Sequence, residues 1–309
     1  MKKVLFATTA LVATAGVAAA DVTFGGYGRF GILYVDPDVP GVDSSTDITS
    51  RFRLQIDATA ESDAGVTFGA RVRIQQDEGN RGMTNGARFF ARSGGLEVGV
   101  GNIFGALEFM PGMYPIDLGL TGLGYDYTAY NFRSSAYSSG GLGSSGNNGI
   151  EVMYSAGDLS IHVSYADDNG DFTDDAGNAV IAGDRERLAA HIAYTWNGWT
   201  FALGAQDSND ADDTELAVSV GGSFGPADVT LAYAETGNDQ DHIVLAARFD
   251  VGAATDVEVY YAEADYFSDD DSYGVDFNHD LGGGTSLRGG IAKRGTGATV
   301  ADLGVRFNF

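Results

Sequence analysis

Residues 50–59 read SRFRLQIDAT, and their strict alternation constrains the fold more than any other feature of the chain. Arg51, Arg53, Gln55, Asp57 and Thr59 fall on one parity; Phe52, Leu54, Ile56 and Ala58 fall on the other. Side chains on a β-strand point to opposite faces with period 2, so this is a strand with one ionic and one apolar face. The alternation does not say which face looks inward. In a soluble sandwich the apolar face is the core. In a membrane barrel it meets lipid, and the arginines line water.

The pattern recurs along the chain. Strands are predicted near 22–34, 48–60, 65–77, 86–93, 95–103, 147–155, 158–167, 185–196, 198–206, 214–223, 227–235, 241–250, 255–266, 272–280, 285–294 and 298–309, sixteen in all. Helical stripes of period 3.6 do not appear after the first twenty residues, glycine is abundant (45) and proline scarce (5). The connections alternate in kind. ESDAG, SGG, AGD, NG, GPAD, DVGAAT and LGGG are short, whereas VDPDVPGVDSSTD, DDNGDFTDDAGNAVIAGD and DSNDADD are longer and acidic. Short turns at one end and long loops at the other are expected of an antiparallel transmembrane β-barrel, with the short turns on the periplasmic side. An even strand count puts both termini at the short-turn end. The faces agree from strand to strand. Phe24, Phe30, Ile32 and Tyr34 oppose Arg29; Val66, Phe68, Val72 and Ile74 oppose Arg71 and Arg73; Leu188, Ile192, Tyr194 and Trp196 oppose Arg185, Arg187 and His191. An arginine on the lipid face near the midplane costs about 2–4 kcal/mol, and these strands keep arginine off the apolar face. Tyr34, Trp196, Trp199, Phe249, Tyr266 and Phe309 lie near strand ends, where aromatic rings suit a membrane–water interface, although aromatics favour strands in any setting.

The start of the chain fixes the compartment. MKKVLFATTALVATAGVAAA has two lysines, a short apolar run and three terminal alanines, the form of a secretory signal. Residues 1–20 are therefore expected to be removed, leaving residues 21–309 as a single barrel domain beginning at Asp21. No later stretch approaches the roughly 20 apolar residues of a membrane helix. The absence of cysteine excludes disulfides and thiolate chemistry. A formal charge of −25 argues against a nucleic-acid partner, which calls for a basic patch.

Some motifs carry little. GYGRFG at 26–31 matches G-x-G-x-x-G, but it lies inside a strand pattern, and nucleotide binding needs a helix after the glycines. Asp167, Asp168 and Asp171, or Asp269, Asp270 and Asp271, offer oxygen ligands for Ca²⁺, which would bridge the loops to lipopolysaccharide; solvated acidic loops are the plainer reading. The four histidines, His162, His191, His242 and His279, have no compact metal spacing, and no cofactor is required by anything local.

The segment DVTFGGYGRFGILY after the signal, together with the ending GVRFNF on Phe309, resembles the general diffusion porins of alphaproteobacteria, of the purple photosynthetic type. The resemblance covers the whole mature chain. It implies a sixteen-stranded barrel that trimerises in the outer membrane of a Gram-negative cell, in contact with its lipid and lipopolysaccharide. It implies that Phe309, with Phe307, Val305 and Leu303 at alternate positions before it, forms a barrel-assembly signal. It also implies that Phe52, Leu54 and Ile56 face lipid, and that the third external loop folds into the lumen.

Residues 104–146 hold that third place. They are too long for an ordinary connection and are rich in tyrosine, so they should pack against something. Their acids, Glu108, Asp117 and Asp126, are expected to face a basic wall of Arg29, Arg51, Arg53, Arg71, Arg73, Arg88 and Arg92 across a constriction. Arginine stays charged at any working pH. Such a field orders water and disfavours large apolar solutes. The expected function is passive diffusion of small hydrophilic solutes and ions, with a weak cation preference set by the acidic outer loops. The alternatives are a substrate-preferring channel, a barrel enzyme, and a plugged adhesive barrel.

Overall fold

The computed structural model describes residues 20–79, 82–129, 149–168, 171–173, 179–181, 185–209, 213–236, 239–269 and 271–309. Residues 1–19, within the segment expected to be removed, and the loop tyrosines 130 and 137 lie outside the described residues. Sixteen antiparallel strands form a closed barrel. In chain order they are β1 (Ala20–Asp36), β2 (Ser45–Glu61), β3 (Thr67–Asp77), β4 (Arg88–Ser93), β5 (Leu96–Gly101), β6 (Gly149–Ala156), β7 (Leu159–Asp168) and β8 (Arg185–Trp196). They continue with β9 (Trp199–Ser208), β10 (Glu215–Phe224), β11 (Ala227–Glu235), β12 (Asp241–Gly252), β13 (Thr255–Ala264), β14 (Asp271–Gly282), β15 (Thr285–Lys293) and β16 (Thr299–Asn308). A two-residue strand, Met83–Thr84, adds to the edge of β3, and Asp171–Thr173 pairs with Ala179–Ile181 in the loop after β7.

Each strand pairs with its sequence neighbour, and β1 pairs with β16 to close the cylinder. Closure removes every sheet edge, which the hydrocarbon core of a membrane demands because an unpaired backbone group has no water to bond. The seam extends to the last residue. Gly26 N donates to Phe309 O at 3.0 Å, and Phe309 N donates back to Gly26 O at 3.1 Å. The Phe309 ring stacks on Phe52 at 5.7 Å, on the outer face. Gly28 lies beneath Phe307, where a Cβ would come within 2.4 Å of the ring. The glycines of GYGRFG therefore serve close packing inside β1, and no helix follows them.

The parity of the opening strand is resolved. Phe24, Phe52, Phe68, Phe89, Leu188 and Leu203 are exposed on the outside, each about half accessible or more. At the short-turn end Trp196 and Phe224 stand out, and at the loop end Tyr165, Tyr261 and Tyr273 do. Tyr266 departs from the expected aromatic belt. Its hydroxyl bonds His242 Nδ1 at 2.6 Å, and its ring packs edge-on against His242 and Phe267.

The buried apolar cluster lies within the barrel. It joins Leu107, Met110, Met113, Leu118, Leu123 and Tyr127 of the β5–β6 loop to inward alanines at 189, 193, 202, 217, 232, 246, 262 and 292. On these later strands the inward positions are small because a loop lies on them.

Candidate functional site

Residues 102–129 run along the inside wall from β6 round to the β16–β1 seam. Their backbone polar groups cannot be left dry, and the wall supplies partners in sequence order. Phe104 N donates to Glu151 at 3.0 Å, Ala106 N to Ser164 at 2.8 Å, and His191 Nδ1 donates to the Ala106 carbonyl at 2.6 Å. Ser219 donates to the Pro111 carbonyl at 2.5 Å. Asp117 N donates to Glu258 at 3.1 Å, and Gly119 N to Asp276 at 2.5 Å. Asp302 accepts from Leu120 N at 3.0 Å and from Thr121 N at 2.7 Å. Four acids, Glu151, Glu258, Asp276 and Asp302, thus serve as sockets for loop amides. Glycines shape the far end of the seat. Gly31 and Gly304 face each other across the seam, and a Cβ on either would come within 2.7 Å of Leu120 Cδ2. Tyr127 packs edge-on against Tyr260 at 5.7 Å, and burial pushes its phenol well above the range in which it could ionise.

The loop is bonded to the wall from β6 to β16; the inner face of β1–β3 meets it at Arg29 and Gly31 and is partly exposed at Arg51, Arg53, Arg71 and Arg73. That face is basic, and its arginines are held in fixed poses. Arg51 pairs with Asp77, Arg71 with Asp57 at 2.6 Å, Arg53 bonds Gln75 at 2.7 Å, and Arg73 bonds Gln55 at 3.0 Å. Arg29 is buried and donates to the Leu120 carbonyl at 2.5 Å. Arg288 and Arg306, which sequence reasoning had not placed in the wall, extend it onto β15 and β16. Both pair with Asp117, at 2.6 and 2.8 Å. Their inward parity was readable, but their approach to Asp117 was not. Tyr27 is also new. Its ring lies under the Arg306 guanidinium at 4.3 Å and the Arg53 guanidinium at 5.2 Å, as cation–π packing requires.

The expected acids separate into two kinds. Asp117 is 62% exposed and bridges loop to wall, and Glu108 accepts from the Tyr114 hydroxyl at 2.8 Å on the open side. Asp126 does not face the basic wall. Its side chain is 10% exposed and is held by Arg294, Gly295 N and Ser272, so it is an anchor. Two arginines also stand apart. Arg88 is 3% exposed and locked between Glu97 at 2.6 Å and Glu151 at 2.5 Å, behind the root of the loop. Arg92 lies beside the short turn at Gly94–Gly95, where it lines a cavity of about 730 Å³ with Phe104, Phe109 and His162. A second cavity of about 550 Å³, lined by Arg248, Asp256, Ser286 and Arg288, also opens at the short-turn end.

Of the candidate calcium ligands, Asp269 pairs with Lys293 at 3.5 Å, beside Asp38. Asp270 and the side chains of Asp168 and Asp171 lie outside the described residues. Among the described residues no three His, Asp or Glu side chains converge on a metal position.

The chain matches the family model described as Gram-negative porin over residues 7–298. It is 31% identical to the porin of Fuscovulum blasticum, covering 94% of this chain and all of that one. It is 28% identical to the porin of Rhodobacter capsulatus, with the same coverage. Among solved structures it is similar to a variant of Rh. blastica porin in which a lysine and an arginine are replaced by alanine, at 28% identity and a TM-score of 0.79 over 94% of this chain. A variant of the same porin in which an aspartate and a glutamate are replaced by alanine matches at 28% identity, a TM-score of 0.78 and the same coverage. With the closed barrel and the inward-folded loop already described, this chain belongs to the Gram-negative porins, the channel-forming barrels of the outer membrane.

Proposed function

We propose that the channel passes small hydrophilic solutes and ions by passive diffusion through the gap between loop residues 104–121 and the arginine face of β1–β3, β15 and β16. The observation that carries this reading is the position of the loop. It is bonded along the wall from β6 to β16, reaches the charged side through Leu120 and Asp117, and leaves Arg51, Arg53, Arg71 and Arg73 partly exposed. Water ordered between Asp117 or Glu108 and the arginines disfavours apolar solutes, whose desolvation the field does not offset. The net charge of −25 and the acidic outer loops concentrate cations at the mouth, so weak cation preference is the reading at low salt. It should fade as salt shortens the screening length. Homotrimer formation, cleavage after Ala20 and contact with lipopolysaccharide belong to the same proposal and rest on family resemblance and on sequence; the acidic outer loops are read as solvated, with calcium binding as the alternative.

Conductance of the purified protein in planar bilayers tests the reading, with a salt-gradient reversal potential. Steps that grow with salt and a small cation-favouring potential at low salt are expected. An anion-favouring potential at low salt would refute the selectivity. Solute flux that saturates at low concentration would favour a substrate-preferring channel instead.

A further inference from the structure

Three arginines stand abreast on adjacent strands. Arg306, Arg29 and Arg51 are direct cross-strand partners on β16, β1 and β2, and all three point into the lumen. Like charges directly opposite one another on a sheet are destabilising. The usual remedy is one acid for each base, and here it is incomplete. Asp77 pairs with Arg51, while Asp117 serves both Arg306 and Arg288. Arg29 has a carbonyl oxygen as its partner, Arg53 an amide oxygen, and Tyr27 shields the group with its ring face. The nearby Asp302 is turned to the amides of Leu120 and Thr121. The local balance is therefore positive, in a protein whose overall formal charge is −25. Arg51, Arg306 and Arg288 remain 16–24% exposed, so a solute in the channel reaches them.

We infer that this row is a transit station for small oxyanions of charge two or more, of the phosphate, sulfate or dicarboxylate class. The chemistry follows from the guanidinium. Each presents a planar fork of N–H donors that matches two oxygens of one anion, and charge-assisted bonds of this type are roughly twice as strong as neutral ones. A dianion at the row relieves the repulsion among Arg306, Arg29 and Arg51 and competes with Asp117, whose side chain is 62% exposed. Chloride offers a single centre and no fork, so it is held less well. The station lies where the β16–β1–β2 row of arginines meets Asp117 of the loop. It deepens the diffusion reading proposed above and rests on it: entry keeps the weak cation preference of the mouth, and one solute class gains a residence site.

Inorganic phosphate is the probe. Single-channel current is recorded in chloride, then with phosphate replacing chloride at matched ionic strength and pH 8. The expected result is a saturable fall in conductance, with the reversal potential moving toward the cation value because a bound dianion cancels wall charge. Arg51→Gln and Arg306→Gln should each raise the half-effective phosphate concentration about tenfold, the loss expected for one charge-assisted hydrogen bond. Arg51→Lys keeps the charge, loses the fork and should fall between. Phosphate acting no differently from chloride, or acting equally on all variants, overturns the station. Calorimetric titration of phosphate into the folded, detergent-purified protein reads the same site without flux. A barrel that binds phosphate but gives no steps would sink the diffusion reading and keep the station. A conducting barrel that neither binds nor responds to phosphate would sink the station alone.

Discussion

Tyr27 shows how a single side chain organises the pore wall. The Arg306 and Arg53 guanidinium groups rest on its ring, and Arg51 reaches its hydroxyl at 3.5 Å. Each such contact is worth about 0.5–1 kcal/mol where water has access. Tyr27→Ala should free the arginines to splay and make current noisier at fixed voltage, whereas Tyr27→Phe should keep the ring packing and behave nearly as the parent. Identical noise in the two variants would mean that the ring does not order the wall. Asp117→Asn makes a sharper test of charge. It removes the acid shared by Arg288 and Arg306, so the reversal potential should move toward anions, and an unchanged potential would remove Asp117 from the selectivity account. The basic face of β1–β3 was legible in the sequence because parity alone assigns Arg29, Arg51, Arg53, Arg71 and Arg73 to one side. The exceptions were not. Arg88 shares that parity, yet Glu97 and Glu151 come from other strands to bury it, and pairing across strands leaves no local mark. Asp126 is likewise defined by Arg294, far along the chain.

At the scale of elements, the inward loop is held by matched surfaces. Four wall acids receive its amides, alanines accept its apolar side chains, and a glycine pair seats Leu120 at the seam. Glu151 is the hub at the loop root, accepting from Arg88, His162 and Phe104 N while fully buried. Glu151→Leu should destabilise the barrel by about 3–5 kcal/mol, because it leaves the Arg88 charge without its closest partner in a dry site. Urea unfolding followed by gel mobility of the folded form would read this. Gly304→Leu should cost about 1–3 kcal/mol by overpacking and should displace Leu120, altering conductance as well as stability. Strand existence was readable from the period-2 pattern throughout. The loop's path was readable only in part. Its tyrosines and length implied that it packs, and the run of small inward residues on β8–β12 could have indicated where. Those alanines look like ordinary strand filler until a loop is laid on them.

At the scale of the whole molecule, a membrane barrel is the inverse of a soluble sheet protein. The larger apolar side chains point out, and the interior holds charge on one side and a loop-filled core on the other. This explains a mean hydropathy of −0.08 in a chain that crosses the membrane with every strand. Closure rests on the β1–β16 ladder and extends to Phe309, which bonds Gly26 and stacks on Phe52. Removing Phe309 should lower the yield of folded barrel in the outer membrane more than it lowers the stability of barrels once formed; equal yields with and without it would contradict a role in assembly. The loop is proposed to narrow the lumen without plugging it, leaving a water path along the arginines. Planar-bilayer conductance of the folded protein at two salt concentrations tests it most directly. Stable steps that scale with salt are expected, with a weak cation preference that fades as salt rises. No steps from protein shown to be folded and β-rich would contradict it, and the loop would then be a plug.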